Sequence, residues 1–215
     1  TEKKESARQL SNLPLTPIKT YLSAVEEARD AVRSGHIEKA VIARDIELTS
    51  DTPLSIHSVV QYLHEQYSTC YQFSIDNMVG ASPELLVAIH GDEISSHPLA
   101  GTTPRTGDAQ KDALLAKQLL ESAKNQIEHR VVIDMVHYTL LPHCSYLDWE
   151  AEPSVVQVAN VQHLGTQLVG KLSEPRVHIV DAALALSPTP ALGGFPRDKA
   201  LQLIARYEGM NRDKY

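Results

Sequence analysis

Ser187-Pro188-Thr189-Pro190-Ala191-Leu192-Gly193-Gly194-Phe195-Pro196 sets three prolines and two adjacent glycines within ten residues. Proline fixes φ and removes a backbone donor, whereas glycine permits positive φ and close backbone approach. The segment is therefore stiff, with one bare spot where a ligand can touch the main chain. It lies between helical patterns over 182–186 and 197–207. Taken alone it reads first as a helix-to-helix connector, and only in company with other residues as the wall of a binding site.

Outward from this loop, hydrophobic periodicity predicts the remaining elements. A helix is expected over 17–34, with Ile18, Leu22, Val25, Ala28 and Val32 on one face and Gly35 as its stop. A strand follows over 38–49, then a helix over 53–66 and strands over 70–75 and 85–90. Gly91-Asp92 turns the chain into a hairpin strand over 93–97. A loop over 98–107 leads to one long helix over 109–141, closed by Pro142, and to short strands over 155–158 and 162–169. Hairpin strands broken by helices imply an α+β fold with antiparallel sheet. The reading is a single domain over 1–215, with 1–12 a flexible lead-in and no internal repeat.

Composition excludes several classes of function. Net charge is −7 and no basic run exists, which argues against nucleic acid and anionic membranes as partners. No apolar stretch approaches the roughly 20 residues of a membrane span. The polar start, Thr1-Glu2-Lys3-Lys4-Glu5, does not resemble a signal peptide. Cys70 and Cys144 are isolated, with neither metal spacing nor a disulfide framework, which fits a reducing cytoplasm. No obligate protein partner is inferred. The missing initiator Met and an end directly after a helix read as a fragment.

Several residues are chemically out of place in these elements. Glu128 sits three and seven residues before Val131 and Met135, so it leans onto the predicted apolar side of the long helix. Buried there it would need a cation or strong donors; otherwise it is a boundary residue or pairs with Lys124 at i−4. Lys39 opens a strand, either as an edge gatekeeper or as a desolvated base. Glu84 follows Pro83 at a strand mouth, as a turn residue or as a neutral acid able to protonate a leaving group. His163 is a lone strand histidine. His97-Pro98-Leu99-Ala100-Gly101-Thr102-Thr103-Pro104-Arg105 offers N–H groups, hydroxyls and a guanidinium, an inventory suited to a carboxylate or to a polar turn.

Together these pieces resemble the chorismate-utilising enzymes, which include isochorismate, salicylate, anthranilate and aminodeoxychorismate synthases. The resemblance runs in order through Lys39-Ala40-Val41-Ile42-Ala43-Arg44, residues 80–86, 98–105, Lys124-Asn125-Gln126-Ile127-Glu128-His129, residues 161–165, 187–196 and Arg212-Asp213-Lys214-Tyr215. Each is weak alone; seven in register are specific. Ala100 stands where amine-transferring members carry a nucleophilic lysine. Lys39 argues for attack by water, since anthranilate synthases lack a lysine there. Pro190-Ala191-Leu192-Gly193-Gly194 resembles isochorismate synthases rather than salicylate or anthranilate synthases. Ser187 departs from the His that usually opens that motif.

The resemblance implies an α/β sandwich of antiparallel sheets flanked by helices, incomplete at its C-terminus. It implies conversion of chorismate to isochorismate, which opens both menaquinone and catechol-siderophore synthesis. Water adds at C2 while the C4 hydroxyl leaves. Lys39 would be the general base and Glu84 the general acid. Mg²⁺ is implied, with Glu128 as one ligand. Gly101 and Thr102 would hold the ring carboxylate, His163 would sit beside the ring, and Ala191, Gly193, Gly194 and Tyr215 would contact substrate. A second metal glutamate and a carboxylate-binding arginine belong beyond Tyr215, so the chain as given is expected to turn over little. A salicylate synthase, or a non-catalytic module that keeps the fold, is the alternative.

Overall fold

The structure, a computed structural model, describes residues 10–213. Its elements follow the order β1 (Leu10–Pro14), α1 (Ile18–Arg33), β2 (Lys39–Ala40), β3 (Ile46–Ser50), α2 (Ile56–Gln66), β4 (Tyr71–Ile75), β5 (Met78–Ser82), β6 (Leu85–His90), β7 (Glu93–His97) and β8 (Leu99–Pro104). There follow α3 (Ala109–Glu121), α4 (Ala123–Leu140), a 3₁₀ turn, β9 (Cys144–Trp149), β10 (Ser154–Gln157), β11 (Val161–Gly165), β12 (Leu168–Leu172), α5 (Ile179–Leu186), β13 (Gly194–Phe195) and α6 (Arg197–Tyr207). All strand pairing is antiparallel, as the α+β reading requires.

Two sheets organise the centre. One has strand order β6-β7-β12-β9 and the other β10-β11-β8. Two of the chain's direct passages between them, at Pro98 from β7 to β8 and at Thr166-Gln167 from β11 to β12, lie side by side. At that double crossing the Thr166 N–H donates to the Pro98 carbonyl at 3.4 Å. α4 lies against the junction. Its Val132, Val136 and Leu140 pack with Ile94, Leu147 and Leu168 of the four-stranded sheet, Ala100 of β8, and Ala182 and Leu186 of α5. Burying such side chains contributes about 1.5–3 kcal/mol each, so this cluster is the main reason α4 sits where it does. A smaller cluster joins Ala28 of α1, Ile37 and Leu203 of α6.

Several sequence-based expectations need correction. The predicted helix over 109–141 is two helices. Ser122 has extended backbone (ψ 107°), and its hydroxyl accepts the Asn125 N–H as the N-cap of α4. A capping serine can start a new helix wherever its φ/ψ leaves the α region. The buried face of α4 also differs from the predicted one: His129, Val132, Ile133, Val136 and Leu140 are buried, whereas Ile127 is 68% exposed. The predicted strand over 38–49 is broken between β2 and β3, because the Ala43 N–H is given to the Glu208 carboxylate and not to a neighbouring strand.

The predicted loop over 98–107 contains β8, paired with β11. Flanking prolines made it look irregular, yet Leu99 and Ala100 are core residues. The strand predicted over 162–169 is split between β11 and β12, while β1, β5 and β9 were not anticipated. Residues 10–12, expected in a flexible lead-in, belong to β1 and pair with β3. On α1 the predicted face is mostly exposed: Ala28 is buried with Ala24, but Ile18, Leu22, Val25 and Val32 are not. The hairpin at Gly91-Asp92 and helix α6 form as expected.

Candidate active site

Lys39 is positioned by the Pro/Gly loop. β2 pairs with β13 so that Phe195 faces Lys39 and Gly194 faces Ala40. The Glu38 N–H donates to Phe195 O at 2.8 Å, and the Val41 N–H to Gly193 O at 3.0 Å. Gly194 has φ +140°, and a Cβ there would lie 2.2 Å from the Lys39 carbonyl. Only glycine tolerates both that backbone and that approach. The bare spot in the loop thus receives the backbone of the lysine strand. Gly193 and Gly194, expected to give substrate access to the main chain, lie outside the cavity lining.

The Lys39 side chain, 13% exposed, donates from Nζ to Glu128 Oε1 at 3.0 Å. Glu128 stands at the edge of the buried face of α4 with its side chain 34% exposed. Its partner is Lys39 from the distant β2, not Lys124 one turn earlier.

Glu84 is held between β5 and β6. Pro83 precedes it, and Ser82 Oγ accepts the Glu84 N–H at 3.2 Å. The Leu99 N–H donates to Glu84 Oε1 at 3.3 Å. Burial raises the Glu84 carboxyl above the ordinary glutamate range. The Leu99 N–H and the nearby charge of Lys39 oppose that rise without cancelling it.

β8 bulges at the site. His163 faces Thr102 and Leu164 faces Ala100, so Gly101 is the extra residue, with φ +77°. A glycine in the left-handed region is the usual way to build such a bulge. The bulge turns Thr102 toward His163, and Thr102 Oγ1 shares a 3.0 Å hydrogen bond with His163 Nδ1. Burial lowers the His163 imidazole below its ordinary value, which keeps the ring neutral near pH 7, although the Gly101 backbone pulls the other way.

Lys39, Glu84, Gly101, Thr102, Glu128, His163 and Ala191 line one cavity of about 250 Å³. Tyr215 lies outside the described residues. Sequence reasoning missed Ser82 and Leu192, which also line the cavity. Ser82-Pro83 was the available signal for the first, since a Ser hydroxyl two residues before an N–H readily closes a local turn. It also missed His129, which is 1% exposed beneath Glu128. His129 Nε2 bonds Thr166 Oγ1 at 2.8 Å, and burial, helped by the nearby His97 and Lys39, holds its pKa down to about 4.

The chorismate binding enzyme family matches residues 1–215, the whole chain. The chain belongs to that family. This chorismate binding enzyme is 34% identical over 223 residues to the isochorismate synthase DhbC of Bacillus subtilis, covering 98% of the chain and 56% of that protein. It is 36% identical over 199 residues to the isochorismate synthase MenF of the same organism, covering 91% of the chain and 42% of that protein. It superimposes on the menaquinone-specific isochorismate synthase MenF from Escherichia coli with a TM-score of 0.85 at 27% identity, covering 98% of this chain and 50% of that one. The antiparallel α/β architecture is therefore that of the family. The chain spans about half the length of these relatives.

The donor set bears on a metal. Among the described residues no three His, Cys, Asp or Glu side chains converge on one point. Glu84 and Glu128 are the carboxylates on the cavity wall, and the bias of Glu84 toward its neutral form leaves Glu128 as the oxygen donor for a cation. That fits Mg²⁺, which keeps several waters and takes one or two protein carboxylates together with oxygens of the substrate. It does not fit zinc, which wants three or four nitrogen or sulfur ligands.

Proposed function

We propose that this chain carries the acid–base core of an isochorismate synthase acting on chorismate. The observation that carries the reading is the meeting of Lys39 and Glu84 in one small cavity, with Glu84 biased toward its protonated form. Acting as the base requires Lys39 as its neutral amine, with the ammonium proton given up to solvent as Nζ leaves its contact with Glu128. Nζ then takes a proton from water, and that proton returns to Glu84 through solvent after turnover. The water oxygen bonds to C2 of the ring, the double bonds shift, and the C4–O bond breaks. Glu84 gives its proton to the departing oxygen, which leaves as water. One water enters and one leaves, so the reaction is an isomerisation. Each positioned proton transfer is worth about 10²–10⁴-fold in rate.

Glu128 would hold Mg²⁺, which supplies Lewis-acid stabilisation of charge on the substrate's ring carboxylate. Gly101 and Thr102 offer a backbone N–H and a hydroxyl for that carboxylate. His163, kept neutral and tied to Thr102, sits beside the ring. Ala191 and Leu192 form the opposite wall. Cys70 and Cys144 are free thiols, which supports a reducing compartment, and no helix among the described residues is long and apolar enough to cross a membrane.

The test is to incubate the full-length protein with chorismate and Mg²⁺ and separate the products by chromatography. Isochorismate is the expected product. Salicylate and pyruvate, formed without an added lyase, would overturn the assignment in favour of a salicylate synthase.

A further inference from the structure

Behind the cavity, the segments that carry Lys39 and the Pro/Gly wall are gripped by an ion pair at the end of α6. Glu208 is 1% exposed. Arg212 donates to both of its carboxylate oxygens, from Nε at 2.8 Å and from Nη2 at 2.6 Å. The same guanidinium reaches two carbonyls, Val41 O at 2.6 Å and Leu192 O at 2.9 Å. Glu208 Oε1 in turn accepts the Ala43 N–H at 2.6 Å. Val41 and Ala43 follow Lys39 in the chain, and Leu192 is part of the cavity wall. Neither Glu208 nor Arg212 lines the cavity.

A planar guanidinium can satisfy a carboxylate and two carbonyls at once, in fixed directions. A lysine ammonium in its place keeps the charge but cannot span all three. Beyond the β2–β13 backbone pairing, the pair joins three segments through side chains: the end of α6, the strand of the base, and the wall loop. We propose that Glu208 and Arg212 are positioning residues that fix the register of β2 against β13, and through it the aim of Lys39 Nζ into the cavity. This rests on the acid–base reading of Lys39.

The experiment compares wild-type full-length protein with Arg212→Lys, Glu208→Gln and Arg212→Met. Lys39 is followed by competitive acylation and mass spectrometry, scored against exposed Lys111, and steady-state kinetics are measured well below each variant's melting temperature. Arg212→Lys should raise the relative labelling of Lys39. It should also lower kcat by about 10²-fold, the scale of a 1 Å misplacement, with KM near the wild-type value. Glu208→Gln, which keeps an acceptor for Ala43, should fall between the two. Should Arg212→Met fail to fold, the two conservative variants carry the comparison. Unchanged labelling of Lys39, or unchanged kcat, in folded Arg212→Lys overturns the proposal even if the melting temperature drops. A wild-type protein that forms no isochorismate contradicts the functional reading instead, and the labelling still decides the clamp.

Discussion

Glu84 and Lys39 differ in how the fold prepares them. Glu84 is pushed toward its neutral form by burial, whereas Lys39 is held through an ion pair with Glu128. Glu84→Gln keeps the size and an acceptor for the Leu99 N–H but has no proton to give. Its kcat should fall by about 10²–10⁴-fold with little change in melting temperature, as product analysis and calorimetry would show. His129 supplies a pH prediction for stability. The folded protein resists a proton that the unfolded chain accepts, since burial lowers His129 from 6.5 to about 4. Stability from this group is complete above pH 6.5 and is lost as pH falls toward 4, by about 3 kcal/mol at most. Urea unfolding at pH 7 and pH 4 measures it, and the difference should shrink in His129→Gln. Lys39, Glu84 and Glu128 were legible in the sequence because their motifs carry the family resemblance. His129 was not, because periodicity picked out Ile127, Val131 and Met135, and a polar histidine gives no apolar signal for the face that α4 buries.

The elements that place these residues depend on a few local devices. Ser122 caps α4 through the Asn125 N–H. Ser122→Ala should cost about 1 kcal/mol, read as a lower denaturant midpoint with an unchanged slope. Gly194 is under a harder constraint, with φ +140° and the Lys39 carbonyl 2.2 Å from any Cβ. Gly194→Ala should cost about 3 kcal/mol or more and should reduce activity further by displacing Lys39, which assays on the remaining folded protein would reveal. Boundaries set by a side-chain cap or a bulge were the ones periodicity missed: the Ser122 break, the Gly101 bulge that makes β8 a usable strand, and the loss of strand pairing after Ala40. Where a turn dipeptide or a simple apolar stripe sets the boundary, as at Gly91-Asp92 and along α6, the sequence was sufficient.

At the scale of the molecule, the double crossing at Pro98 and Thr166 brings the two sheets together over α4 and leaves the cavity at their junction. Antiparallel α+β architecture was legible from hairpin spacing, since local turns dictate local pairing. Pairings such as β13 with β2 and β12 with β9 were not, because they join distant segments through backbone hydrogen bonds that leave no periodic trace. The segment over 187–196 shows both sides of this. Its stiffness was readable, but its partner proved to be the lysine strand. The proposed action of Lys39 and Glu84 on chorismate as a base–acid pair is tested by isochorismate formation by full-length wild-type, Lys39→Ala and Glu84→Gln proteins with saturating chorismate and Mg²⁺. Wild-type is expected to form isochorismate, and both folded variants to lose about 10²–10⁴-fold in kcat. Equal rates in all three, or no isochorismate from wild-type, would contradict it.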